Sequence, residues 1–179
     1  MNVILVHGLL GNPKNAWFPW LIHELDSRGY GVNSLKMPNP AAPSRSAWVK
    51  TLKDAIVEPG RTILVGHSLG CPTILNAVSD FPDGSFPHIV LVAGFGRPFT
   101  KALSIWFPAP LDLDAIRPKA KRWTVIHSTN DVIVPYAEGE WLAKQLGAKL
   151  ITKDKGHLRF RDGARDLPEA LDAILSTPV

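Results

Sequence analysis

The chain has 179 residues and a formal net charge of +4, a length that predicts one domain with a single sizeable core. Apolar residues make up 45% of it and charged residues 20%, which excludes an intrinsically disordered chain. Cys71 is the single cysteine, so an internal disulfide and a multi-cysteine zinc site are excluded.

Short apolar, β-branched runs alternate with longer amphipathic stretches. The runs are Val3–Val6, Gly31–Leu35, Thr62–Val65, His88–Val92, Trp123–His127 and Lys149–Thr152. The first, third, fourth and fifth are almost continuously apolar, as strands buried on both faces require. Between the first two runs, Trp17, Leu21 and Leu25 share one helical face. Ser44 or Ser46 is placed to cap a second helix reaching Glu58, a third helix follows Ser68, and a fourth covers Tyr136–Leu146. The last has Leu167, Leu171, Ile174 and Leu175 at helical spacing; it opens with Asp166 as a cap, an acid three residues on and Pro168 in the first turn. Asn39–Ser44, with Pro40 and Pro43, reads as an extended surface loop, and Phe95–Arg117 as a long irregular, aromatic-rich segment. Alternating β and α units joined by right-handed crossovers predict a parallel sheet with helices on both faces.

No apolar run approaches the roughly 18 residues that would span a bilayer. Met1 is followed at once by Val3–Val6, without the basic, apolar and small-residue pattern of a secretory leader. The expected compartment is therefore the cytoplasm, with no membrane partner. Basic residues gather late (Lys119, Lys121, Arg122, Lys153, Lys155, Arg159 and Arg161), but Asp154, Asp162 and Asp166 dilute them. They read as a solvated face, and no nucleic-acid partner is expected.

The strongest local signal is Gly66-His67-Ser68-Leu69-Gly70. It joins a buried strand to a helical pattern, the context in which G-x-S-x-G exposes a nucleophilic serine on a sharp turn. The helix start leaves backbone N–H groups unpaired and carries a positive dipole end, so the N–H of Leu69 would face an oxyanion. A serine hydroxyl needs a base. Of the six histidines, His157 lies just after the last strand run, where loops form the functional edge of an open α/β sheet. His67, inside the turn, is expected to point elsewhere. Asp131 directly follows the fifth run and is preferred over Asp154 as the acid that would orient His157. The first strand ends in His7-Gly8-Leu9-Leu10-Gly11; if it pairs with the strand before Ser68, Leu9 N–H becomes the second oxyanion donor. That pairing predicts a six-stranded order of 2-1-3-4-5-6, with the ligand crevice where strand order reverses. Gly8–Asn15 lacks the Gly-Lys-Ser/Thr ending of a phosphate loop, and His23-Glu24-Leu25-Asp26-Ser27 lacks the second histidine of a zinc helix, so no nucleotide or metal is assigned. Cys71 reads as a small packed residue rather than a redox centre.

The chain resembles a compact α/β-hydrolase, and specifically the small serine hydrolase family that includes retinoblastoma-binding protein 9 and its bacterial relatives. The matching residues are His7-Gly8, Trp17-Phe18-Pro19-Trp20, Met37-Pro38-Asn39-Pro40, Gly66–Pro72, Ser128 with Asn130-Asp131, and Gly156-His157. The resemblance implies a three-layer sandwich with little or no lid and a Ser68–Asp131–His157 hydrolase. It also makes the aromatics of Phe95–Arg117, chiefly Trp106 and Phe107, candidate walls of an acyl pocket. The retinoblastoma protein is not carried over as a partner. The expected activity is that of a carboxylesterase on a small-molecule acyl substrate, without a cofactor. Amide or thioester hydrolysis, acyl transfer, or a non-catalytic binding module on the same fold are the other readings.

Overall fold

The computed structural model describes residues 1–178. Six strands, β1 (Asn2–Val6), β2 (Gly31–Leu35), β3 (Thr62–His67), β4 (Ile89–Val92), β5 (Trp123–Ser128) and β6 (Lys149–Lys153), form one sheet. Its order is β2-β1-β3-β4-β5-β6, with every neighbouring pair parallel. The helices are α1 (Phe18–Asp26), α2 (Arg45–Ala55), α3 (Gly70–Val78), α4 (Leu113–Ile116), α5 (Tyr136–Leu146) and α6 (Pro168–Leu175). Among the described residues, no helix is long and apolar enough to cross a membrane.

The almost continuously apolar runs became the interior strands for a simple reason. Side chains alternate between the two faces of a strand. On β1 and β3, Ile4 and Leu64 point to one face, while Val3, Leu5, Ile63 and Val65 point to the other. The first face packs on Trp48 and Leu52 of α2, Ile74 and Leu75 of α3, and Leu142 of α5. The second packs on Phe18, Leu21 and Leu25 of α1 and Leu171 and Ile174 of α6. Only strands apolar on both faces can sit between two such layers. β2 and β6, which alternate, take the edges.

Four local expectations change in the structure. Helix α2 stops at Ala55 rather than Glu58, because Pro59 disfavours helical geometry at the residue before it and Ile56 is already extended. Asp166 does not cap α6: the N-cap is Leu167, and Glu169 instead pairs with Lys153 on the neighbouring strand. Asn39–Ser44 is not extended but turns, with Ala42 N–H donating to Asn39 O at 3.0 Å. The Phe95–Arg117 segment is also more regular than its sequence. It holds a 3₁₀ helix at Lys101–Trp106 and the single turn α4, capped by Asp112, which accepts from Ala115 N–H at 3.0 Å. A three-residue repeat leaves no signature at the period of 3.6 used to find helices.

His88, at the start of β4, is buried between Thr124 and Thr177, whose hydroxyls lie 2.9 and 2.8 Å from its ring nitrogens. Burial, with the nearby charge of Arg122, holds its pKa down at about 4, from an ordinary 6.5. His67 is likewise held at about 4 by burial and by the charge of His157. Between these values the unfolded chain binds protons that the folded chain does not, so stability rises with pH and is lost as pH falls. A thermal melting series is expected to show Tm dropping as pH is lowered from about 6.5 to about 4. His88→Gln should flatten that slope; an equal slope in the variant would show that His88 does not contribute to it.

Candidate active site

The turn Gly66–Gly70 leaves the C-terminal edge of the sheet between β3 and α3. Ser68 takes a left-handed backbone conformation, with φ of +53°, which costs a residue bearing a Cβ about 1 kcal/mol or more. Its N–H donates to Val92 O at 2.9 Å, pinning the turn to β4. The turn can be this tight because α3 crosses β1 at very close range. A Cβ on Gly70 would lie 2.2 Å from Val6 O, so no other residue fits there.

His157 and Asp131 arrive from the loops after β6 and β5. His157 Nε2 lies 2.9 Å from Ser68 Oγ, and His157 Nδ1 lies 2.7 Å from Asp131 Oδ2. Burial alone would raise the pKa of Asp131. The hydrogen bond from His157 and the backbone N–H groups of Ile133 and Val134, which donate to Oδ1 at 2.8 and 3.0 Å, outweigh it and leave the carboxyl below its ordinary range. An ionised carboxylate can only accept, so Nδ1 carries the proton and Nε2 presents a lone pair to the Ser68 hydroxyl. Asp154, the rival acid, is exposed, and the carboxylate bonded to His157 is that of Asp131.

The loop after β1 closes over Ser68. A Cβ on Gly8 would sit 2.8 Å from Ser68 Cβ, so glycine is what allows the approach. His7 holds this loop: its Nδ1–H donates to Gly8 O at 2.8 Å, while its Nε2 accepts from Met37 N–H at 3.1 Å. Burial lowers its pKa, consistent with the neutral tautomer that both bonds require. The N–H groups of Leu9 and Leu69 make no hydrogen bond among the described residues, and both residues line the cleft above Ser68.

That cleft has a volume of about 980 Å³ and mostly apolar walls. Phe95, Phe99, Leu103 and Trp106 build one side. Phe107 does not line it: its ring lies 6.0 Å from that of Phe95, beneath the wall. The expectation that both neighbours face the pocket is therefore corrected for Phe107. Trp106 is the last residue of the 3₁₀ helix and packs edge-on against Trp48 at 5.6 Å, whereas Phe107 follows the helix with a φ of −133° and joins the core on the face that carries Trp48.

Residues 3–176 match the serine hydrolase family. The chain belongs to the serine hydrolase family. It is 34% identical to the protein YdeN of Bacillus subtilis (strain 168) over 98% of this chain and 95% of that one. It is 23% identical to the serine hydrolase RBBP9 of Rattus norvegicus over 81% and 79% of the two chains. The crystal structure of the B. subtilis ydeN gene product superposes with a TM-score of 0.89 at 33% identity, covering 98% of this chain and 97% of that one. The esterase domain of a Rhodothermus marinus protein shares the fold alone, with a TM-score of 0.73 at 15% identity over 98% and 86% of the chains. This chain's parallel sheet of order β2-β1-β3-β4-β5-β6 with helices on both faces is the α/β-hydrolase architecture that the sequence motifs implied.

Several residues of this candidate site were not legible beforehand. His67 does not point away: it lines the cleft, and its Nε2 lies 2.9 Å from His157 O. Only N–H can donate to a carbonyl, so its neutral ring holds the backbone that carries His157. Asn130 and Ser128 tie the two loops together, accepting from Gly156 N–H at 2.8 Å and Lys155 N–H at 3.3 Å. His127 is buried beside Asp131, 3.6 Å from Oδ2, and donates to Val134 O at 3.0 Å, bracing the turn that supplies two of the bonds to Asp131. The sequence signals for these roles were the positions of His67 next to Ser68 and of Ser128 and Asn130 beside Asp131, all within the segments that carry the family resemblance. The Cys71 thiol is buried and bonded to Gly66 O and Val92 O at 3.3 and 3.5 Å. Burial raises its pKa, which keeps it a packed thiol. Among the described residues, no group of three or more His, Cys, Asp or Glu side chains gathers in a metal-binding arrangement.

Proposed function

We propose that this serine hydrolase is a carboxylesterase for small or medium acyl esters, with Ser68 as nucleophile, His157 as general base and Asp131 as its orienting acid. The observation that carries this reading is the unbroken line of hydrogen bonds from Asp131 through His157 to Ser68, 2.7 and 2.9 Å long, at the floor of an apolar cleft. Ser68 Oγ attacks the ester carbonyl while its proton passes to His157 Nε2. The tetrahedral oxyanion is held by the free N–H groups of Leu9 and Leu69. As the intermediate collapses, the bond to the alcohol oxygen breaks and His157 returns its proton to that oxygen. Water, deprotonated by the same imidazole, then cleaves the acyl-serine and releases the acid. Charge develops on His157 in both steps, and the ionised Asp131 stabilises it.

A panel of matched esters, thioesters and amides over a range of acyl lengths, together with fluorophosphonate labelling, tests this. Esters are expected to turn over fastest, and the label to fall on Ser68. Labelling absent from a folded protein would overturn the nucleophile assignment, and a faster amide would overturn the esterase reading.

The closeness of Gly8 to Ser68 yields a further expectation. Gly8→Ala forces its new methyl against Ser68 Cβ, 2.8 Å away, displacing the nucleophile or the Leu9 N–H by a fraction of an ångström or more. Misplacement on the scale of 1 Å costs about 10²-fold in rate. Turnover should fall by about that factor while far-ultraviolet circular dichroism stays unchanged. Wild-type turnover would remove the Gly8–Leu9 loop from the mechanism.

A further inference from the structure

The two walls of the cleft belong to opposite faces of the sheet. Phe95 and Trp106 are continuous with the core on the α2–α3–α5 face. The residue after His157, Leu158, is buried in the core on the α1–α6 face, and the segment from His157 through Arg161 forms the cleft wall there. Among the described residues, Arg159 and Arg161 are the charged side chains lining the cleft, and no carboxylate lines it. Their wall is therefore the side from which an anion is attracted.

The two arginines differ. Arg159 is already occupied: its Nε and Nη2 donate to both oxygens of Asp162 at 2.8 and 3.0 Å, and its backbone N–H donates to the same carboxylate at 3.1 Å. That pairing folds Phe160–Asp162 into a 3₁₀ turn closed by Gly163 N–H on Phe160 O at 3.0 Å. Asp162 also packs against Gly156, where a Cβ would meet its Cγ at 2.9 Å. The turn bearing Arg161 is thus locked to the residue that precedes His157. Arg161 itself is exposed and makes no ion pair or side-chain hydrogen bond among the described residues.

Under the proposed esterase mechanism, His157 Nε2 protonates the departing oxygen, so the leaving group must lie on the His157 side. The acyl group then faces the apolar Phe95–Trp106 wall. From this placement we infer that the substrates are esters whose alcohol part bears an oxyanion group, a carboxylate or phosphate, bound by Arg161, with an apolar acyl part opposite. The inference rests on the esterase reading for which wall takes which half of the substrate. The anion site itself is testable without turnover.

The probes are 3-(butanoyloxy)benzoate and 3-(butanoyloxy)benzamide, which differ in charge and little else. Calorimetric titration into the Ser68→Ala protein, which cannot consume them, is expected to show the benzoate binding about tenfold tighter, the scale of one charge-assisted hydrogen bond. Arg161→Gln in that background should bring the ratio close to one, Arg161→Lys should keep part of it, and added salt should shrink it. In the wild-type protein the benzoate should show the higher kcat/KM by a similar factor. Equal binding of the two probes, or a ratio untouched by Arg161→Gln, would overturn the anion site. Selective binding of the benzoate with no hydrolysis of either ester would leave the anion site standing and overturn the esterase reading.

Discussion

Ser68→Ala is expected to lower ester hydrolysis by on the order of 10⁴-fold or more while the protein stays folded, because loss of the nucleophile removes the covalent route and leaves only binding and the oxyanion donors. The fold should survive since alanine keeps the Cβ, and with it the same left-handed strain that Ser68 bears at φ +53°. Ser68→Gly provides an internal check. It should be equally inactive yet more stable than Ser68→Ala by about 1 kcal/mol, because glycine adopts this conformation without the steric cost. Rates measured on purified, folded variants and denaturant titrations settle both points. Appreciable esterase activity in Ser68→Ala would remove Ser68 from the mechanism, and a Ser68→Gly protein no more stable than Ser68→Ala would mean that the turn stores no strain.

Asp131→Asn is expected to cut turnover by about 10⁴-fold, the loss seen when a triad acid is neutralised, and the local hydrogen bonds say why. Asp131 Oδ1 accepts two backbone N–H groups, from Ile133 and Val134. In the variant, the amide oxygen must stay on those two donors, since turning the –NH₂ toward them would oppose donor to donor. The –NH₂ then faces His157 Nδ1, which becomes an acceptor, and the ring proton moves to Nε2. That tautomer cannot take the proton of Ser68. The variant should therefore fold, bind substrate with little change in KM, and fail in kcat. Asp154→Asn, at an exposed position, should be nearly silent. A reversed ranking of the two variants would move the role of acid to Asp154.

What could be read in advance divides along a physical line. The strand positions, the strand order and the gathering of Ser68, Asp131 and His157 were legible because each rests on local pattern. Val3–Val6 and Thr62–Val65 are apolar at every position, which only an interior strand tolerates. Gly66-His67-Ser68-Leu69-Gly70 is a motif recognisable within five residues in its strand-to-helix context, although the crowding that demands Gly70 comes from Val6 O on β1. Once those strands are parallel, topology alone delivers the loops after β1, β3, β5 and β6 to one edge.

The features that escaped depend on neighbours distant in sequence. That Trp106 lines the cleft and Phe107 does not follows from the chain leaving the 3₁₀ helix at Phe107 and from the packing of Trp106 against Trp48 of α2. Glu169 was drawn from a capping role by Lys153 on β6, leaving Leu167 at the start of α6. His67 faces the cleft because a carbonyl 90 residues away in the chain, that of His157, lies within hydrogen-bond reach. Arg159 and Arg161 look alike in sequence, yet the reach of Asp162 neutralises the first and leaves the second free. By itself, then, the sequence determined the layers, the order of the strands and which three side chains converge, because burial periodicity and the strand-turn-helix motif are each written within a few residues. The tertiary structure alone decided tautomers, loop ties, pocket walls and the free charge, because hydrogen bonds and ion pairs form only between groups that folding brings within about 3 Å of one another.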